Sequence, residues 1–221
     1  MKRIGFLHTS AVHIPTFNQL LDPKTNELDL VHSVDEPLLA QAMREGINIE
    51  IVEQVHAHIQ QLVADGCREI VCTCSTLGGV AEQIEVADVA ISRIDRPMAV
   101  AAVQNAHVIL IVASVGSTLI PTRELLLDES KRQARPIQIK ELVLEHAWDA
   151  FLAGNLDEYF QTIADGIRTE LAGSGGCVSK LPPEVIVLAQ ASMAGAADLL
   201  SDINLPILTS PKLCADSLLE K

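Results

Sequence analysis

Aromatic residues are scarce in this chain: one Trp, one Tyr and four Phe among 221 residues. The apolar content is instead Ala, Val, Ile and Leu, the composition of buried parallel strands sandwiched by helices. Positive charge is scarce too. Sixteen Lys and Arg face 29 Asp and Glu, the formal net charge is −13, and no basic cluster stands out, which argues against a nucleic-acid partner. Long apolar runs are missing: Val108–Ala113 is strand-sized, well short of the ~20 residues that span a membrane, so no membrane partner is expected. Met1-Lys2-Arg3 leads into a short apolar run broken by His8, Thr9 and Ser10, with no h-region or cleavage site, so it does not read as a signal peptide. The five cysteines, at 67, 72, 74, 177 and 214, are odd in number and scattered. That fits no disulfide framework and points to a reduced, cytoplasmic setting. No GxGxxG, P-loop or HExxH occurs, so no nucleotide or metal cofactor is expected.

The length fits one large domain or two small ones, and a chain with 48% hydrophobic residues buries a full core without staples. Strand and helix patterns alternate. Arg3–Leu7 and Leu28–Val34 read as strands. Residues 48–65 place Ile51, Val55, Ile59, Leu62 and Val63 at helical spacing, with Gly66 as C-cap. Glu69–Cys74 reads as a strand running into Ser75-Thr76-Leu77-Gly78-Gly79, where a helix starts. Strands are further expected at His107–Ala113, Ile137–Val143, Val185–Ala189 and Leu205–Thr209. Helices are expected at Pro121–Arg132, as a broken pair over Leu144–Leu171, after the strand Val185–Ala189 and at the end of the chain. Gly173-Ser174-Gly175-Gly176 reads as a loop. This alternation predicts a mostly parallel α/β fold.

Internal repetition is the strongest organisational signal. Glu69–Ala81 lies over Val185–Ala197 at an offset of 116, with Ile70, Val71, Gly79 and Ala81 matching Ile186, Val187, Gly195 and Ala197. Pro15–Leu21 lies over Pro121–Leu127 at an offset of 106, and Ile94-Asp95-Arg96-Pro97 resembles Leu208-Thr209-Ser210-Pro211. Three correspondences in one order predict two pseudo-symmetric, doubly wound α/β domains, 1–97 with about 210–221 and 98–209, with the active site in the cleft between them. In such sheets ligands bind beyond the carboxyl ends of the strands.

Cys74 falls at a strand end before a helix N-terminus, where free N–H groups favour a thiolate and an anionic ligand. It is a candidate base or nucleophile; a small buried hydrophobe is the alternative. Cys72, Cys67 and Cys214 read as core, and Cys177 stays open. His8 and His13 flank Thr9-Ser10 in the loop after the first strand and are candidate acid/base residues. His56 and His58 read as a solvated helix face, Glu145-His146 as surface, and Arg93 and Arg123 as surface rather than anchors. Ser/Thr clusters fall at strand ends, namely Thr9-Ser10, Ser114 with Ser117-Thr118, and Ser192. They suit either carboxylate binding or helix capping.

The motifs resemble those of the aspartate/glutamate/hydantoin racemase superfamily. Cys74-Ser75-Thr76 is similar to its Cys-Asn-Thr. Ala113-Ser114 with Ser117-Thr118-Leu119-Ile120-Pro121-Thr122 is similar to its second-half Ala-Thr…Thr-Thr-Leu-x-Pro-Thr, and Ile94–Met98 to its strand-to-helix link. The resemblance covers nearly the whole chain. It implies cofactor-independent chemistry at a carbon next to a carboxylate, a small carboxylate substrate, and a homo-oligomer. Racemases of this family use one cysteine from each half. Cys74 matches the first; at the offset of 116 the second position is Gln190, whose amide cannot exchange protons with a carbon acid but can donate to a developing enolate. The implied catalytic pair is Cys74 and Gln190. The implied substrate-binding set is Thr9, Ser10, Ser75, Thr76, Ser114, Ser117, Thr118 and Ser192. Three readings follow: a one-thiol decarboxylase or isomerase, a racemase whose second acid/base is His8 or His13, and a non-catalytic carboxylate-binding protein.

Overall fold

A computed structural model of the chain describes residues 2–21, 27–173 and 181–220. Two compact units form, 1–96 with 214–221 and 97–213. The first holds β1 (Lys2–His8), α1 (His13–Leu21), β2 (Leu28–Val34), α2 (Glu36–Glu45), α3 (Ile49–Ala64), β3 (Glu69–Cys72), α4 (Ser75–Glu82) and β4 (Ala90–Arg93). The second holds α5 (Arg96–Asn105) from Pro97 on, β5 (Val108–Ala113), α6 (Leu119–Arg132), β6 (Gln138–Val143), α7 (Glu145–Leu152), α8 (Leu156–Gly173), β7 (Val185–Leu188) and β8 (Ile207–Thr209). The last helix, α9 (Ser210–Leu219), begins in the second unit and ends in the first. The expected loop at 174–176 and Cys177 lie outside the described residues.

Each unit is an α/β fold around a four-stranded parallel sheet, with orders β2-β1-β3-β4 and β6-β5-β7-β8. The sequence dictates this directly. Every residue of β3, β5 and β7 is buried, so each strand is apolar on both faces, as a sheet covered on both sides requires. In β5 and β7 the two faces divide at period two: Leu110, Val112, Ile186 and Leu188 pack with Tyr159, Ile163 and Ile167 of α8. Ile109, Ile111, Val185 and Val187 pack with Met98, Val103, Leu125 and Leu126 of α5 and α6. In the first unit Leu7, Ile70 and Cys72 face Ile51, Val55, Ile59 and Leu62 of α3. That helix is capped by the Asn48 side chain, which accepts from the Ile51 amide at 3.0 Å. Gly66 follows it with φ +90°, a conformation that suits glycine.

Several expectations shift. β3 stops at Cys72, because Thr73 donates its amide to Leu7 and the ladder closes there. The helix expected after Val185–Ala189 is a 3-10 segment over Ala191–Leu200, pressed so closely on α8 that a Cβ at Gly195 would come within 2.5 Å of the Phe160 ring. His8 is the last residue of β1 rather than a loop residue, and His13 is the first of α1. Parallel pairing with β2 extends β1 to His8. The third repeat correspondence also changes. Arg93 lies opposite Cys72 and Thr209 opposite Leu188, so in strand register Arg93 matches Thr209. Two residues, Ile94 and Asp95, then intervene before α5, whereas α9 follows β8 at once.

Candidate functional site

In both sheets the order in which successive strands are added reverses between two central strands, β1 and β3 in the first and β5 and β7 in the second. This topological switch point is where open α/β sheets present ligand-binding groups. Thr9 follows β1 and Cys74 follows β3; Ser114 follows β5 and Gln190 follows β7.

Cys74 is the N-cap of α4, with extended φ −94° and ψ 115° and no side-chain cap hydrogen bond. It is 7% exposed. Burial, with a smaller push from the Asp95 carboxylate, raises its thiol above the ordinary range, while the Thr9 hydroxyl and the backbone N–H groups of Leu77 and Thr76 pull the other way. The net shift is upward, so the resting group is a protonated thiol whose conjugate base has donors waiting for it. Cys72 is core, as expected: its sulfur donates to the Cys74 carbonyl at 3.7 Å, and burial raises its thiol strongly. Ser75 is buried in the first turn of α4, and Thr76 is half-buried beside it. The carbonyl of Ser10 accepts the His13 amide in the turn that opens α1.

The histidines differ from expectation. His8 is fully buried, and both its nitrogens are engaged. Thr73 donates its hydroxyl to the Leu7 carbonyl at 3.2 Å, so its oxygen is free to accept from His8 Nδ1–H at 2.9 Å. His8 Nε2 then accepts from His32 Nδ1–H at 2.9 Å. His32 Nε2 faces the Asn18 side-chain amide at 3.1 Å, and a neutral ring requires that amide to present its N–H there. Burial, reinforced by His32 and His13, lowers His8 to about 3; burial lowers His13 to about 4 and also lowers His32. His8 is therefore a structural tautomer anchor and not a free acid/base. His58 is no solvated residue either. It bonds Ser33 Oγ and Asp35 Oδ2, each at 2.9 Å, because α3 lies against the end of β2.

In the second unit Gln190 Oε1 accepts from Ser114 N at 2.7 Å, Ser114 Oγ at 3.0 Å and Val115 N at 3.3 Å. Backbone donors identify that atom as oxygen, so the Nε2 group points away and has no protein partner among the described residues. Tyr159 Oη lies 3.0 Å from Ser114 Oγ and 3.0 Å from Ser192 Oγ. Ser114 has one proton, given to Gln190. The order of donation then runs from Ser192 to Tyr159 to Ser114 to Gln190. Thr118 is buried in the turn before α6. Ser117 Oγ and Thr122 Oγ1 are buried without a hydrogen-bond partner among the described residues, an arrangement that costs energy unless something else satisfies them.

The structure thus joins Thr9 and Thr76 to Cys74, and Ser114 and Ser192 to Gln190. Sequence reading missed Tyr159, Thr122 and the Arg93–Asp95 pair. Arg93 is not on the surface. It is 4% exposed, and its guanidinium grips Asp95 at 2.6 and 2.9 Å. Arg123, by contrast, is a surface residue paired with Glu141. Among the described residues no group of three His, Cys, Asp or Glu could hold a metal ion, and no helix is long and apolar enough to cross a membrane.

No protein-family model matches the sequence, and no curated protein matches it. Solved structures do, over the whole chain. The aspartate racemase of Picrophilus torridus superposes with TM-score 0.73 at 14% identity, covering 100% of this chain and 94% of that one. Glutamate racemase from Francisella tularensis, solved with D-glutamate, gives 0.67 at 13%, covering 99% and 80%. Allantoin racemase from Klebsiella pneumoniae gives 0.61 at 17%, covering 100% and 87%. The chain shares the fold of these racemases.

Proposed function

We infer that the protein is a cofactor-independent enzyme of the racemase and isomerase type. It moves a proton at a carbon next to a carboxylate, with Cys74 as the acid/base. The observation that carries this reading is the buried Cys74 at the N-cap of α4, where the positive end of the helix dipole favours its thiolate. A protonated thiol in that setting donates its proton readily, because the thiolate left behind is already solvated by oriented dipoles. In the second unit the hydroxyls of Ser117 and Thr122, without partners among the described residues, and those of Thr118 and Ser192 suit a small anion in a protein whose net charge of −13 repels one at long range; Ser10, Ser75 and Thr76 offer the same chemistry in the first unit.

Gln190 favours the one-thiol form of this chemistry, a decarboxylation or isomerisation in which a single proton is delivered to one face. Its oxygen is locked by three donors, and its Nε2–H can only donate. His8 has both ring nitrogens committed to Thr73 and His32, so it has none left for a substrate proton.

The test is incubation of amino acids, hydroxy acids and substituted malonates in D2O, followed by proton NMR and chiral analysis. Deuterium enters one carbon with one handedness in the product, and Cys74→Ser abolishes turnover. Inversion of both enantiomers with label wash-in would sink the one-thiol form. Full activity in Cys74→Ser would sink the acid/base assignment, and saturable carboxylate binding without any turnover would make the protein a binder.

A further inference from the structure

The Arg93–Asp95 pair has no role in the fold's symmetry. Its strand-register counterpart in the second sheet is Thr209, and the two-residue extension that carries Asp95 is missing there. Among the described residues the ion pair therefore has no strand-register counterpart in the second unit. A buried pair is seldom a net source of stability, since desolvation of both charges cancels most of the attraction, so its presence asks for another explanation.

The geometry supplies one. Beyond the fork on Asp95, Arg93 Nη2 donates to the Ser75 carbonyl at 3.3 Å, and Ser75 is the first residue of α4. The Arg93 side chain also lies along the glycine face of that helix. A Cβ at Gly78 would stand 2.8 Å from Arg93 Cβ, and one at Gly79 would stand 3.6 Å from Nη1. Two glycines in an eight-residue helix weaken it on their own, so the turn that carries the Thr76 and Leu77 amides depends on what packs against it. We propose that the buried Arg93–Asp95 pair is the positioning device of Cys74, clamping the first turn of α4 so that the helix N-terminus stays fixed behind the thiol at its N-cap. This rests on the acid/base reading of Cys74. The charged and titratable groups around the sulfur and the clamp are Cys72, Asp95 and Arg93, with Glu82 and Arg96 flanking and paired to each other. Burial would lower Arg93, but the Asp95 carboxylate more than offsets it and holds the guanidinium charged.

The test is the rate of Cys74 alkylation by iodoacetamide between pH 7 and 9, read for that cysteine alone by peptide mass spectrometry. It needs no substrate. Arg93→Lys removes the fork and keeps both charges, so the upward push of the Asp95 carboxylate on the thiol stays as in the wild type. Labelling at pH 8 in that variant is expected to slow by up to about tenfold, the equivalent of one unit rise in thiol pKa. A purely structural loosening would expose the sulfur and speed labelling, the opposite sign. Unchanged or faster labelling in Arg93→Lys overturns the proposal; if that variant does not fold, an unchanged or faster rate in Gly78→Ala, whose new methyl displaces Arg93 from α4, overturns it. Retained turnover in Cys74→Ser would remove the catalytic reading and leave the alkylation result standing, so the two failures are distinguishable.

Discussion

Acidification should destabilise this protein well above the pH at which its carboxylates protonate. His8 and His13 have pKa values of about 3 and about 4 in the folded chain against 6.5 when free. Their folded values are depressed, so the unfolded chain binds more protons, and stability is complete above pH 6.5 and falls as pH drops through the window below it. Between pH 6 and 5 each unfolded histidine carries most of a proton that its folded counterpart refuses. At ~1.4 kcal/mol per proton per pH unit, the two together remove about 2 kcal/mol across that single unit. His32, lowered by its own burial, adds in the same direction. Urea unfolding followed by circular dichroism at pH 7, 6 and 5 measures this, and His13→Gln should recover roughly half of the loss. Denaturation midpoints that stay constant from pH 6.5 to 5, or a full loss in His13→Gln, would refute the assignment of these rings as buried and neutral. The outcome bears on function, because a neutral His13 cannot begin a catalytic cycle as an acid.

Tyr159→Phe removes the hydroxyl that links Ser114 to Ser192 and should cost about 1–3 kcal/mol in urea unfolding, since it strands polar groups in a buried site. Gly78→Ala should destabilise by about 1–3 kcal/mol through overpacking against Arg93. Gly79→Ala, with 3.6 Å of room, should be neutral or stabilising by up to about 1 kcal/mol from helix propensity; equal effects at the two positions would contradict the packing of Arg93 on α4.

Much of the fold was legible because its signals are local. Leu28–Val34 is a strand over the expected residues, the spacing of Ile51, Val55, Ile59 and Leu62 marks the face of α3 that is buried, and the break at Gly154-Asn155 separates α7 from α8. Cys74 and Gln190 could be named because each ends a strand pattern at corresponding positions of a repeat. The residues that were misread are those whose environment is set by distant chain. His58 is two positions from His56 on one helix, and nothing local says that Ser33 and Asp35 wait for it. Arg93 carries a charge that normally stays in water; only the sheet register and the extension at Asp95 bury it.

The scarcity of aromatic residues illustrates the division. Composition alone excluded an aromatic core and pointed to parallel strands under helices, because local hydrophobic period and residue size follow from sequence. It could not show that four of the six aromatic residues, Trp148, Phe151, Tyr159 and Phe160, gather in one cluster, or that the Tyr159 hydroxyl would emerge from it between Ser114 and Ser192. The sequence by itself determined the two α/β halves, the thiol at one strand end and the amide at the other. Tertiary structure alone decided the protonation states and bonding partners of His8, His13 and Arg93. Burial and long-range hydrogen bonding are properties of the packed chain, set by residues far apart along it.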